Sequence, residues 1–374
     1  MTARDRRAVA LISLAVIAIL VVGLAYLHSS STSKANPPVG QSVDRTLATL
    51  DFVAYDFASP STGWALDFSE GRPPSLSELF WVFRTTDRGV HWQKQLTGQA
   101  IFRGFGSLPI QVIDQSHVFV LVRGVTEELY RTVDGGTHWT LLALPRTQIE
   151  EVEFSDARTG WLLTQPTSGT AEVRELYTTG DAGDTWYRLP DVPTDAYILR
   201  FRSADDVWMS GYGPGKPHVY TSNDAGQTWR RHELPPPPGA SWDVGNFLPA
   251  TVDLLPGIGV TASVPSATGS VTFLFVSFDQ GITWRYLNPP PGGQVGYQDA
   301  YHWWAMGSKL LFKSSDAGQT WSQVSDKLPD WQFDPQILDS KHAWAALSVL
   351  GGYGLAFSDD AGIHWTRVTV PQPA

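Results

Sequence analysis

Along most of the chain, apolar residues recur in pairs across short polar turns. An apolar residue is followed seven positions later by an aromatic at Phe57/Trp64, Val112/Phe119, Phe154/Trp161, Phe201/Trp208, Tyr297/Trp304 and Ile337/Trp344, with a degraded copy near Val252 to Val260. The residues between each pair form a polar turn such as Ser155-Asp156-Ala157-Arg158-Thr159-Gly160. Each pair therefore marks the ends of two strands joined in a hairpin.

A second pattern lies downstream of each pair. The string Ser/Thr-x-Asp-x-Gly-x-Thr/His-Trp occurs at Thr85 to Trp92, Thr132 to Trp139, Thr179 to Trp186, Ser222 to Trp229, Ser277 to Trp284, Ser314 to Trp321 and Ser358 to Trp365. Its aspartates, Asp87, Asp134, Asp181, Asp224, Asp279, Asp316 and Asp360, are spaced 47, 47, 43, 55, 37 and 44 residues apart. An Asp carboxylate accepts backbone N–H groups in a tight turn, and Gly two residues on supplies positive φ. Apolar residues flank each copy, as in Leu129-Tyr130 and Leu141-Leu142, so this motif joins a second hairpin. Two hairpins give four strands in about 45 residues, a sheet too small to bury both faces alone. Several such sheets packed around an axis bury them, and seven units from about Leu47 to Val370 predict a seven-bladed all-β propeller of four-stranded antiparallel blades.

The chain resembles the Asp-box (BNR) repeat propellers over nearly all of this region. The Gly-Trp strand starts (Gly63-Trp64, Gly160-Trp161) and a box in every blade look most like the photosystem II assembly/stability factor family, many of whose bacterial members have no connection with photosynthesis. In these families the box is a structural turn between the third and fourth strands. The resemblance carries that role, and no catalytic duty, to the seven aspartates. It implies a non-enzymatic protein-binding or assembly scaffold, with no cofactor. The box also occurs in sialidases and xyloglucan hydrolases, so a carbohydrate-active or glycan-binding propeller is the alternative.

The N-terminus has a different character. Arg4, Arg6 and Arg7 precede an uncharged, mostly apolar run from Ala8 to Leu27, which as a helix spans about 30 Å, the thickness of a bilayer core. Residues 1–7 are expected to be a cytoplasmic stub, 8–27 a transmembrane signal anchor, 28–46 a flexible tether and 47–374 the propeller. The positive-inside rule places the propeller outside the cytoplasm. A cleaved signal peptide is the competing reading, with Ser29-Ser30-Ser31 as a poor cleavage site. Both give the same compartment.

Composition excludes several classes. With no Cys there is no disulfide scaffold, thiol nucleophile or lipoprotein anchor. A net charge of −10 argues against duplex nucleic acid as a partner, since such binders need a basic face.

Candidate chemistry is sparse. A sialidase needs an arginine triad and an Arg-Ile-Pro signature, whereas the nearest string is Arg72-Pro73-Pro74. Xyloglucan hydrolases clamp substrate between two propellers, and this chain has one. Asp195, Asp205, Asp206, Asp243 and Asp299 are available for acid–base work, but sequence brings no pair together at glycosidase spacing. His91, His138 and His364 replace Thr in the boxes, while His117, His302 and His342 occupy first-hairpin turns, so no metal site is expected. Arg200 and Arg202 flank Phe201 on an innermost strand and need a partner: a salt bridge to Asp205 or to a neighbouring blade, or a bound anion.

Of the 16 tryptophans, seven lie in boxes and five start second strands, which leaves Trp81, Trp242, Trp303 and Trp331. Trp81 alternates within a strand, whereas Trp242 and Trp331 lie in connections between blades. The longest connections, through Arg103-Gly104-Phe105 and Pro235 to Trp242, emerge opposite the boxes. Loops over a rigid scaffold are where binding residues concentrate. A partner is therefore expected on the face carrying Arg72, Arg103, Phe105, Trp242 and Trp331: a protein at or near the membrane, or a glycan.

Overall fold

The computed structural model describes residues 53–368 except 69–77, 101–108, 124–125, 166–173, 213–214, 239–241, 243–250, 256–258, 267–268, 289–293, 308, 329–334 and 350–351. The expected stub, anchor and tether lie outside the described residues. Among those residues no helix is long and apolar enough to cross a membrane.

Seven four-stranded antiparallel sheets follow one another along the chain, each built from four consecutive strands in spatial order one to four. They are the blades of a propeller. First strands contact the first strands of neighbouring blades, as between Val53–Phe57 and Ile110–Val112, or Ile149–Phe154 and Ala196–Phe201, so the first strands are innermost. Blade 5 keeps its first hairpin despite the degraded pattern. Thr251–Leu255 pairs with Gly259–Ser266, held in register by buried Val252, Leu254, Val260 and Ala262.

There is no single core. Seven apolar clusters each straddle two neighbouring blades, and one of them joins the last blade to the first through Trp344, Leu355 and Phe357 against Phe57 and Ala65. The seven-residue spacing acquires its meaning here. The second-strand aromatic of one blade packs on the first-strand aromatic of the next, with ring centroids 3.5 Å apart for Phe119 on Phe154, 3.8 Å for Trp344 on Phe57 and 5.2 Å for Trp161 on Phe201. Burying two large rings face to face adds stacking to the hydrophobic gain.

All seven boxes share one turn. The Ser/Thr hydroxyl accepts the box glycine's amide at 2.7 to 2.9 Å. The aspartate Oδ1 accepts the amide four residues on at 2.8 to 2.9 Å, in every copy. Its other oxygen meets the Thr hydroxyl or His Nδ1 of that same residue, as at Thr185 and His91. The residue between Asp and Gly also takes positive φ, for example Ala182 at 62°, so the turn carries two successive left-handed residues. Glycine is required at the second for space as well: a Cβ on Gly89 would stand 2.2 Å from Val368 on the fourth strand of blade 7. Six of the seven boxes, all but that of blade 5, are seen tied to the first turn of their own blade, as where the Ala182 amide donates to Arg158 O at 2.8 Å. Boxes and first turns therefore share one face.

Thr179 is buried, and Thr179→Val would leave the Gly183 amide without its acceptor. The expected loss is about 1–3 kcal/mol in denaturant unfolding at an unchanged m-value. Asp181→Ala should lower the thermal midpoint as well.

Candidate functional site

The innermost strands expose backbone amides that no further strand can pair, and side chains from the neighbouring blade take them. In blade 7, Gln336 Oε1 accepts the Phe57 amide of blade 1 at 2.9 Å. In blade 1, Asp56 Oδ2 accepts the Val112 amide of blade 2 at 2.7 Å, and in blade 2, Gln111 Oε1 accepts the Phe154 amide of blade 3 at 3.1 Å. Each clasping residue sits one position before the first-strand apolar residue of its own blade. Asp56 also receives the Gln336 amide at 2.5 Å, so blades 7, 1 and 2 meet on one carboxyl. Water reaches part of Asp56, yet protein atoms surround it on nearly every side. Desolvation lifts its pKa to about 7, against the opposing pull of the Val112, Gln336 and Phe57 donors.

Blades 3 and 4 meet differently. Glu151 and Glu153 project from the inner strand of blade 3, and Glu151 Oε2 accepts the Leu199 amide at 2.7 Å. Arg200 pairs with Glu151 and stands 3.7 Å from Glu153. Phe201 packs towards blade 3, so the alternating Arg200 reaches Glu151 by folding over the inner edge of its own strand, where it also meets Leu199 O at 2.6 Å. Its guanidinium thus stands at the wall of the axis. Arg202 pairs with Asp206 at 3.0 Å, so the carboxylate partner is Asp206 and not Asp205, while Arg200 uses the neighbouring blade.

On the face opposite the boxes, blades 2, 3 and 4 share a tyrosine–acid device two residues before each box. Tyr130 donates to Glu128 at 2.6 Å, Tyr177 to Glu175 at 2.9 Å and Tyr220 to Asp195 at 2.6 Å. Burial, reinforced by the neighbouring carboxylates, raises all three phenols. Glu175 further holds Arg146 at 2.7 Å and Arg188 at 3.3 Å, and its hydrogen bond from Arg146 lowers its own pKa. Both arginines remain about half in solvent, 54% and 45% exposed. In blade 4, His218 Nε2 meets Asp195 at 2.9 Å, with Arg231, Glu233 and Lys216 completing the chain. Sequence reasoning missed this network. The Glu-Leu-Tyr string before the second and third boxes was its visible signal.

The residues expected to form a docking face have mixed fates. Arg72, Arg103, Phe105 and Trp331 lie outside the described residues. Trp242 is no exposed anchor: it is 8% exposed, donates its indole N–H to Leu234 O at 2.8 Å, and packs on Phe273 and Phe275. Trp242 belongs to the apolar cluster in the seam between blades 4 and 5. Trp81 and Trp303 are also buried. The seven box aspartates stay within their turns, where hydrogen bonds hold their carboxyls low, to about 2 at Asp87, Asp134, Asp181 and Asp316. Among the carboxylates considered for acid–base work, Asp195 holds Tyr220 and His218, Asp206 holds Trp208 and Arg202, and Asp299 closes a turn on His302. Asp243 lies outside the described residues. The first-turn histidines face aspartates three residues earlier, at Asp114, Asp299 and Asp339. Among the described residues no three such side chains group to hold a metal ion.

Seven blades, each closed by the same turn, make the chain an Asp-box repeat β-propeller, and the BNR/Asp-box repeat family model matches residues 275–286, the fifth box. Among solved structures it is similar to YCF48 bound to D1 peptide, at 16% identity and a TM-score of 0.53, over 87% of this chain and 96% of that one. YCF48 from Cyanidioschyzon merolae matches at 14% identity and a TM-score of 0.52, over 84% and 95%. The GH74 xyloglucanase from Xanthomonas campestris matches at 15% identity and a TM-score of 0.51, over 88% of this chain but 62% of the enzyme. At these identities the likeness shows the fold. No curated protein sequence matches the chain.

The raised Asp56 carboxyl gives a signed pH effect. The unfolded group ionises near 3.8 and the folded one near 7, so the folded state binds more protons between these values. Stability should fall as pH rises through that window and then level off. In Asp56→Asn the fall should be shallower, with a constant offset for the altered clasp, when denaturant midpoints are compared across pH. The box aspartates act below it: their stabilisation is present above 3.8 and is lost as pH drops towards 2.

Proposed function

We propose that the protein is a non-enzymatic binding propeller that holds a protein partner on the face opposite its boxes. The observation that carries this reading is the network on blades 2 to 4, where Arg146 and Arg188 are fixed by Glu175 yet stand half in solvent. Each guanidinium has five donors in a rigid fork, more than Glu175 and Asp191 can occupy. Pre-positioned arginines of this kind anchor interfaces at low entropic cost. A propeller of the same fold solved with a peptide bound supports a polypeptide partner. The engagement of Asp195, Asp206 and Asp299 in structural contacts supports a non-enzymatic role. Residues 8–27 are read as the anchor that keeps the propeller at a membrane, outside the cytoplasm.

A second reading, glycan binding, draws on one feature of the box face. Phe278 and Tyr301 stack at 6.0 Å and are both exposed, at positions where other blades carry mostly polar residues.

Capture from detergent-solubilised membranes tests the first reading. The native chain should retain a stoichiometric partner, and Arg146→Glu combined with Arg188→Glu should weaken capture at least about tenfold at unchanged thermal midpoint. Equal capture would remove this face from the interface, and glycan-array binding abolished by Tyr301→Ala would favour the second reading. Carbonate extraction should leave the protein in the membrane pellet, whereas a soluble chain starting near Ser31 would show cleavage instead.

A further inference from the structure

We propose that the inner seam between blades 3 and 4 receives a cationic group, an ammonium or guanidinium presented by the partner. The proposal rests on the partner-binding reading only for who presents the group. Its basis is a departure from the clasp rule. Gln336, Asp56 and Gln111, each one position before the apolar residue of a first strand, take an amide of the next blade. Glu153 holds that position in blade 3, yet its Oε2 has no hydrogen-bond partner although the residue is only 8% exposed. A buried carboxylate oxygen without a donor is costly, and native structures seldom keep one without a use.

The cause of the departure is visible in blade 4. The pairing of its first and second strands slips between Tyr197 and Leu199, and the extra residue, Ile198, has φ of 47°. Positive φ in a β-branched residue is strained, and bulges of this kind re-aim the chain beside functional sites. Here the bulge turns the Leu199 amide to Glu151 and leaves Glu153 unclaimed. Two carboxylates share one guanidinium nitrogen, and Arg200 favours Glu151 over Glu153. Arg123 donates to Ile149 O and Glu150 O and is also coupled to the charge of Glu151. What the seam leaves unmet is a donor for Glu153 Oε2.

Burial pushes the Glu153 carboxyl above the usual carboxylate range, with Arg200 pulling it down and Glu151 pushing it up. A cation beside it favours the ionised carboxylate. Binding is thus coupled to proton release.

The probe is n-butylammonium chloride, titrated calorimetrically into the full chain in detergent near pH 7, in two buffers of different ionisation enthalpy and at ionic strength fixed with sodium chloride. Saturable binding with proton release to the buffer is expected, weakened at least about tenfold in Glu153→Gln. Ile198→Gly, which accepts the same φ without strain, should fold and still bind. The proposal is overturned if Glu153→Gln binds equally with an unchanged thermal midpoint, if butan-1-ol binds as well as the amine, or if the native chain gives only the heat of dilution. Capture of the membrane partner that survives such a null titration would remove the seam and leave the partner reading intact. Amine binding without any captured partner would do the reverse.

Discussion

Seven separate sheets can enclose an axis only if each is pinned to the next where their strands converge. There the inner edge of every first strand has backbone donors and acceptors but no further strand to pair with, and buried backbone groups must be satisfied. Gln336, Asp56, Gln111 and Glu151 meet this demand by lending a side-chain oxygen to the next blade's amide. The aromatic stacks lie just outboard of the clasps, as Phe57 on Trp344 and Phe154 on Phe119. At Asp56 and Phe57 polar clasp and aromatic stack come from adjacent residues of one strand, pointing to opposite sides as the pleat requires. Blades 7 and 1 are joined in this same way, without a shared strand.

The box was legible because its chemistry is local. Hydroxyl, carboxylate and glycine close a turn within eight residues, so Thr179, Asp181 and Gly183 announce it without any knowledge of the fold. The seven-residue aromatic spacing gave the first hairpins, though not that the two members of a pair serve different seams. Clasps were illegible for a physical reason. Asp56 and Gln111 are ordinary polar residues whose partners lie 56 and 43 residues away, and Gln336 reaches across 279. Register between blades decides those contacts, and no local pattern encodes it.

Trp242 shows the limit of reasoning from connections. A large aromatic after four prolines shows no packing partner in sequence, yet Trp242 lies in the seam and the Leu234 carbonyl satisfies its indole. Arg72, Arg103, Phe105 and Trp331 fall outside the described residues. The tyrosine–acid network of blades 2 to 4 lies on the anticipated face, with Tyr130, Tyr177, Tyr220 and Arg188 on strands and Arg146, Glu175 and Asp195 in the adjoining connections. Sheet register fixes the tyrosines, and Glu175, bonded to Tyr177, in turn holds both arginines.

Because every blade takes its four strands from one uninterrupted stretch, and because the last seam uses the interactions of the others, the ring has no structural beginning. The fold treats the order of blades as cyclic. A chain permuted to start at blade 4, with blade 7 joined to blade 1 by a short linker, would contain the same seven seams, the same clasps and the same boxes. What such a permutation would change is only which blades carry the two ends of the chain, and so where anything joined to those ends would be held.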